Sequence, residues 1–377
     1  MPIRVAVPKE TAAGERRVAM SADVVKRLAR LGAEVHIQSG AGDSAFVPDA
    51  DFGADVNVVA DASALLGSAD VIFKVQPPTL DEIAAMKEGV IVVGYLAPHR
   101  NPEIVRALRD RKIQAHAVEL IPRISRAQSM DALSSQANIA GYKAVLMGAS
   151  LTSKFFPMLT TAAGTIRPSK ALIIGAGVAG LQAIATARRL GAVVEAYDVR
   201  SATKEQCESL GAKFIDTGVA ADGQGGYARE LTDEEKAQQQ AVLNRHIAQA
   251  DVVITTAAIP GRPSPKIISK AAVEAMKPGA VIVDLAAEGG GNCEVTVPGE
   301  TINHGQVMVH GPLNVPSELS VHASEVYAKN LFNFIELMIK DGELNVDWED
   351  EVIAESCLTV NGEIKHEPTR KAVEAAQ

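Results

Sequence analysis

Ala171-Leu-Ile-Ile-Gly-Ala-Gly-Val-Ala-Gly180, then Leu181-Gln-Ala-Ile-Ala-Thr-Ala-Arg-Arg-Leu-Gly-Ala192, then Val193-Val-Glu-Ala-Tyr-Asp198, is the stretch on which the fold turns. An apolar run reads as a buried parallel strand, and Gly175, Gly177 and Gly180 make G-x-G-x-x-G at its end. Ala183, Ala185 and Leu190 then predict a helix closed by Gly191, and a second apolar run stops at Asp198. Each part has a physical reason: Gly175 permits a tight turn, Gly177 lets a pyrophosphate approach the backbone, and Gly180 lets helix and strand touch. The helix start offers free N–H groups and the positive end of a dipole. Asp198 can accept hydrogen bonds from both hydroxyls of an adenosine ribose and would repel a 2′-phosphate. Strand, turn, helix, strand and acid fall in the required order, so the stretch implies dinucleotide binding and favours NAD(H). Arg200 follows two residues later, yet the acid holds the strand-end position.

A chain of 377 residues exceeds one ordinary core, which predicts two domains. Hydrophobic residues make up 47% and charged residues 22%, a soluble globular composition. The net charge of −9 and the lack of a Lys/Arg cluster argue against nucleic acid. Cys207, Cys293 and Cys357 are scattered, which argues against a disulfide framework or a zinc site. No apolar run is long enough to span a bilayer and the first residues enter a strand at once, so a cytoplasmic chain without direct membrane insertion is expected.

Along the chain, strands are predicted at Ile3 to Val7, Val35 to Ile37, Asp70 to Val75, Val90 to Val93 and Gln114 to Val118, with helices between them and only short helical turns in 40 to 63. Alternating β and α implies a parallel sheet. An internal echo supports two related halves: Ser68-Ala-Asp-Val-Ile and Met86-Lys-Glu-Gly-Val-Ile-Val-Val resemble Gln249-Ala-Asp-Val-Val-Ile and Met276-Lys-Pro-Gly-Ala-Val-Ile-Val. The expected architecture is α/β, two Rossmann-like doubly wound parallel-sheet domains joined by long helices. Residues 1–130 plus 310–377 would form a discontinuous first domain, and 131–309 the NAD-binding domain with its linking helix. A helix predicted from Asp131 to about Phe156 carries the chain across, and one beginning at Ser317 brings it back. The cleft between the domains is where a nicotinamide is expected.

Two stretches carry unusual chemistry. Pro122-Arg-Ile-Ser-Arg-Ala-Gln-Ser-Met-Asp131-Ala-Leu-Ser-Ser-Gln136 follows a strand and precedes the long helix. Arg123 and Arg126 can hold phosphate or carboxylate, Gln128 both donates and accepts, and Asp131 can pair an arginine. The plainer alternative is a solvated loop whose Asp131 and Ser134 cap the helix. Residues 217 to 229, rich in Gly and Ala, read equally as a surface loop or as a lid hinged at Gly225 and Gly226 with Tyr227 as its stacking group.

These residues resemble a known family, the NAD(H)-binding component of the proton-translocating nicotinamide nucleotide transhydrogenases. The resemblance rests on Val7-Pro-Lys-Glu, Arg17-Val-Ala, the segment Pro122 to Gly141, Gly175 to Leu181, Asp198-Val-Arg200, Gly225-Gly-Tyr227 and Asp284-Leu-Ala with Gly-Gly-Asn-Cys293. It implies that Arg123, Gln128, Asp131 and Ser134 serve the nicotinamide end, beside Ser129 and Met130. It also implies coenzyme contacts from Gly175, Gly177, Val178, Ala179, Gly180, Asp198, Val199, Arg200, Gly226, Tyr227, Gln239 and Ala258. No metal is expected. Hydride transfer between two nicotinamides needs no acid or base, only two rings held in contact with water excluded. With one fingerprint in the chain, NADP(H) is expected on a partner subunit. The resemblance further implies a homodimer docked on membrane-spanning and NADP(H)-binding subunits at the inner face of the cell membrane, moving hydride from NADH to NADP+ as protons cross.

Alanine dehydrogenase, a sister family, is the main alternative. Arg17 and Lys74 match its substrate-binding Arg and Lys, but Tyr95 stands where its strand-end His is expected and Glu288 near its acid. Without a proton shuttle amino-acid chemistry is disfavoured, and Arg17 and Lys74 are expected to be structural, paired with carboxylates. An NAD sensor without chemistry is the third reading, disfavoured by the polar loop at 123 to 131.

Overall fold

The computed structural model describes residues 2–218, 232–258 and 262–375. The chain divides into two compact units, Met1–Gln136 with Ser317–Gln377, and Ala137–Pro316. The first begins with β1 (Ile3–Val7), α1 (Ala22–Arg30), β2 (Ala33–Gln38), β3 (Val56–Val59), α2 (Ala62–Ser68), β4 (Val71–Phe73), α3 (Leu80–Ala85), β5 (Ile91–Gly94), α4 (Pro102–Asp110) and β6 (Gln114–Ala117). α5 (Ala132–Leu151) runs from this unit into the second. There follow the hairpin β7 (Leu159–Thr161) and β8 (Gly164–Ile166), then β9 (Lys170–Ile174), α6 (Val178–Arg189), β10 (Val193–Tyr197), α7 (Lys204–Ser209), β11 (Lys213–Phe214) and α8 (Asp233–Gln249). β12 (Val252–Thr255), α9 (Lys270–Glu274), β13 (Val281–Asp284), β14 (Thr301–His304) and β15 (Val307–His310) complete it. The return consists of α10 (Ser320–Ile335), β16 (Ile339–Lys340), β17 (Glu343–Leu344), α11 (Glu351–Ser356), β18 (Cys357–Val360), β19 (Glu363–Ile364) and α12 (Glu367–Ala375).

The helices start and stop where local chemistry dictates. The Ser21 hydroxyl accepts from the Val24 amide to cap α1, which buries Val24, Val25 and Leu28 and ends before Gly32. Thr79 with Glu82 and Thr232 with Glu235 make capping boxes for α3 and α8. The strands are apolar on both faces. In the first unit Val5, Phe73 and Val93 face one core while Ala6, Ile72 and Val92 face another. In the second, Ala171 and Ile173 alternate in the same way with Leu172 and Ile174.

The sheets share one strand order. The first runs β3-β2-β1-β4-β5-β6 and the second β11-β10-β9-β12-β13-β15, parallel throughout, before antiparallel edge strands extend each. That is the doubly wound order, with its switch point beside β1 and β9. The internal echo falls on equivalent strands. Asp70 before β4 accepts from the Arg4 amide at 2.8 Å and from Lys87 at 2.5 Å; Asp251 before β12 accepts from the Lys170 amide at 2.8 Å and from Lys277 at 3.1 Å. In each unit the repeated Ala-Asp therefore ties the first strand to the Met-Lys turn before the fifth.

Three features depart from the sequence reading. Residues 56–59 form an edge strand where only helical turns are expected, 159–166 form an unforeseen hairpin, and α5 stops at Leu151. No described helix is long and apolar enough to cross a membrane.

Candidate functional site

In the second unit the glycine turn leaves β9 with Gly175 at φ +97°, where a Cβ would meet the Thr256 hydroxyl at 2.5 Å. A Cβ on Gly180 would lie inside the van der Waals envelope of the Gly175 carbonyl oxygen, and one on Gly141 of α5 inside that of Ala179. Two helices thus press on the turn where only glycine fits. Nothing lies within 4 Å of a Cβ built on Gly177, so that side of the turn is open ground. Val178 is exposed and Ala179 half-buried at the start of α6, where backbone N–H groups have no carbonyl partner within the helix. This is the geometry of an anion site.

Asp198, just past β10, accepts from the Ala176 amide at 2.7 Å and the Arg200 amide at 2.9 Å. The Arg200 guanidinium also grips it, with both contacts at 3.0 Å. Burial alone would raise the Asp198 carboxyl, but Arg200 and the two amides hold it below its ordinary value. The strand-end acid is where the sequence puts it, already engaged by the arginine two residues on. Arg200 is 46% exposed, so its guanidinium has room to swing into solvent and leave the carboxylate open. Val199 is exposed beside it. Gln239 is half-buried on α8, and Ala258 is exposed just beyond β12. Gly226 and Tyr227 lie outside the described residues.

The polar loop belongs to the first unit, so the residues expected at the nicotinamide end and those of the glycine turn lie on different units. Residues Ser125–Met130 form a 3-10 turn pinned by buried Ala127 and Met130. Its Ser129 carbonyl accepts from Asn330 at 2.9 Å and Asn333 at 3.0 Å, both on α10. Arg126 is bound to Asp350, which removes it from the free recognition groups. The Asp131 carboxylate accepts from the Ser134 amide at 2.8 Å and the Ser134 hydroxyl at 2.5 Å, which is the plainer capping role foreseen for this pair. Arg123 and Gln128 are exposed, and neither side chain has a hydrogen bond or ion pair among the described residues. Among the described residues no cluster could hold a metal ion.

At the corresponding strand ends of the first unit the glycine turn has no counterpart. The segment after β1 instead buries carboxylates. Glu10 accepts from the Val75 amide at 2.6 Å and pairs with Lys74 at 3.3 Å, and Lys74 also meets Glu82 at 2.9 Å. Glu15 pairs with Arg17 at 2.7 Å, and Arg17 donates to Gln136 at 2.9 Å. Tyr95 stacks on Tyr327 with ring centroids 5.5 Å apart. Lys74 and Arg17 are thus bound by carboxylates, as the sequence reading expects.

Two doubly wound units, one with a glycine turn, an open helix start and a strand-end acid, define a nucleotide-binding α/β protein of dehydrogenase type. The chain belongs to the alanine dehydrogenase/PNT family, whose N-terminal domain matches residues 6–140 and whose C-terminal domain matches 144–367. It is 48% identical to the first part of the NAD(P) transhydrogenase subunit alpha of Rhodospirillum rubrum, over 97% of this chain and 98% of the relative. A solved transhydrogenase structure from Sinorhizobium meliloti superposes with a TM-score of 0.86 at 43% identity, covering 97% of this chain and 99% of that one. The alanine dehydrogenase of Mycobacterium tuberculosis is more distant, 30% identical over 86% of this chain and 84% of its own length. Nicotinamide nucleotide binding follows from this membership and from the site.

One outcome tests the acid. Asp198→Ala removes the ribose acceptor and frees Arg200, so NADH binding should weaken about tenfold, the loss of a charge-assisted hydrogen bond, while NADPH binding gains. Fluorescence titration of both coenzymes checks it; unchanged affinity for the two would refute the assignment.

Proposed function

We propose that this chain is the NAD(H)-binding component of a proton-translocating transhydrogenase. It holds NADH while a partner subunit presents NADP+, and hydride passes between the two nicotinamides as protons cross the membrane. The observation that supports this most is the pairing of a built coenzyme turn with a first unit whose substrate-type cations are bound by its own carboxylates. Lys74 and Arg17 are engaged by Glu10, Glu82 and Glu15, and Tyr95, which stands where the dehydrogenase reading expects a histidine, is stacked on Tyr327. Little remains for acid–base work on an amino acid, whereas transfer between two rings requires only that they be held.

The roles of the loop follow. Gln128 and Arg123, both exposed, orient the nicotinamide, and Asp131 with Ser134 sets the start of α5 beneath them. Gln128→Asn, which shortens the amide by one carbon, should slow transfer about tenfold with NADH affinity nearly intact, because misplaced rings lose near-attack geometry. Stopped-flow transfer and NADH titration separate the two; a large loss of binding would reassign Gln128 to affinity.

A homodimer peripheral on its membrane partners completes the proposal. The β7–β8 hairpin is exposed along both strands, and Phe155, Met158, Leu159 and Ile166 lie open on or beside it. A two-stranded hairpin is marginal alone in water, and a second copy of the chain would cover this apolar surface.

The deciding assay mixes the chain with NADH and an acceptor coenzyme, with and without the NADP(H)-binding partner, and separately with alanine and NAD+. Partner-dependent transfer is expected. NADH formation from alanine would sink the proposal in favour of the dehydrogenase.

A further inference from the structure

Gly290-Gly-Asn-Cys293, after β13, forms a bracket outside the glycine turn and the strand-end acid. It is built on Asp284, wholly buried, which accepts from the Thr255 hydroxyl at 2.8 Å, the Cys293 amide at 3.0 Å and the Thr296 hydroxyl at 2.6 Å. A Cβ on Gly291, at φ +85°, would meet the Asp284 carboxylate at 2.6 Å, so the chain turns there only as glycine. The turn delivers Asn292, also wholly buried, to the loop that leaves β12. Its side-chain oxygen accepts from the Ala257 amide at 3.0 Å and its nitrogen donates to the Ala257 carbonyl at 2.7 Å. The same nitrogen donates to the Pro265 carbonyl at 2.9 Å. Ala257 is gripped on both polar groups as a neighbouring strand would grip it, and Thr256 before it donates to the Gly175 carbonyl at 3.1 Å.

We infer that Asn292 is a positioning residue for the nicotinamide half of the coenzyme, acting through the backbone of Ala257 and Ala258. This rests on the reading of the second unit as an NAD(H) site. In the strand order β10-β9-β12, Asp198 ends the strand on one side of the glycine turn and Ala257 follows the strand on the other. A dinucleotide with its pyrophosphate on the turn and its adenosine ribose on Asp198 must extend its second nucleotide across the end of β12. The Asn292 clamp holds the floor of that half and touches nothing on the adenosine side. Its amide is needed as donor and acceptor at once, which a carboxylate of the same shape cannot supply.

The test compares NADH with ADP-ribose, which lacks only the nicotinamide, by titration calorimetry on Asn292→Ala and on the same-shaped Asn292→Asp. ADP-ribose affinity within twofold of wild type, with NADH weakened about tenfold in at least one variant, is the expected result. Both ligands unchanged would overturn the inference. So would equal losses of both in the two variants, which would make Asn292 a support for the whole unit. A wild-type chain that binds neither ligand would instead overturn the NAD(H) reading itself, and this inference with it.

Discussion

Gly180→Ala should cost the chain most of its NADH affinity and part of its stability, whereas Gly177→Ala should cost the affinity alone. The difference comes from what each new methyl group meets. At position 180 the Cβ is driven into the Gly175 carbonyl, with the Thr256 hydroxyl also close at 3.4 Å, so α6 must lift from β9 or the turn must deform. Overpacking of this kind costs roughly 1–3 kcal/mol. Lifting α6 also moves the N–H groups off the pyrophosphate, and two lost charge-assisted bonds at about 1.5 kcal/mol each weaken binding about 100-fold. At position 177 the methyl meets nothing within 4 Å and φ is −78°, so the free chain accommodates it. It stands only where a bound pyrophosphate must approach. Thermal melts and NADH titrations on both variants check the pair. A Gly177→Ala chain with wild-type affinity would show that no phosphate comes to this turn.

Those glycines are legible in the sequence because the whole grammar of the stretch is local: strand, turn, helix and acid all lie between residues 171 and 198. Periodicity alone locates β9, α6 and β10, and the internal echo points to the shared strand order of the two units. What escapes a sequence reading is of two kinds. β3 carries exposed Asn57 and Val58 on an outer edge, and the hairpin at 159–166 is exposed throughout, so neither shows the apolar signature of a buried strand. The second kind is side-chain pairing across long sequence separations. Asn292 reaches Ala257, Asn330 and Asn333 reach Ser129, and Arg126 is spent on Asp350; none of these partners can be read from spacing. Asp198 shows the same limit. Its place at the strand end is a pattern, but its grip on Arg200 is a matter of rotamers.

Arg17→Ala should destabilise the first unit by about 3 kcal/mol while leaving NADH affinity, which the proposal assigns to the second unit, unchanged. Arg17 is 4% exposed and the Glu15 side chain it neutralises is fully buried. Removing one member strands a buried carboxylate, and such losses run at roughly 3–5 kcal/mol. The lower end applies because Glu15 keeps the Gln76 side-chain amide at 2.7 Å and the Ser317 hydroxyl at 3.1 Å as donors. Burial pushes the Glu15 carboxyl up, but the Arg17 guanidinium, with the Gln76 side chain and the Arg17 amide, brings it down from 4.5 to about 2. A carboxyl lowered in the folded state adds stability that is complete above its unfolded value and lost as pH falls. This contribution therefore disappears between pH 4.5 and about 2 in the wild type. In Arg17→Ala most of it should already be gone at neutral pH, which flattens the acid limb of the stability curve. Arg17→Met with Glu15→Gln, which removes both charges, should recover much of the loss. Denaturant melts from about pH 7 to about pH 3 distinguish the cases. If Arg17→Ala were as stable as wild type at every pH, the pair would not be a structural brace. Arg17 would then be free to anchor a substrate carboxylate, and the case for amino-acid chemistry would reopen.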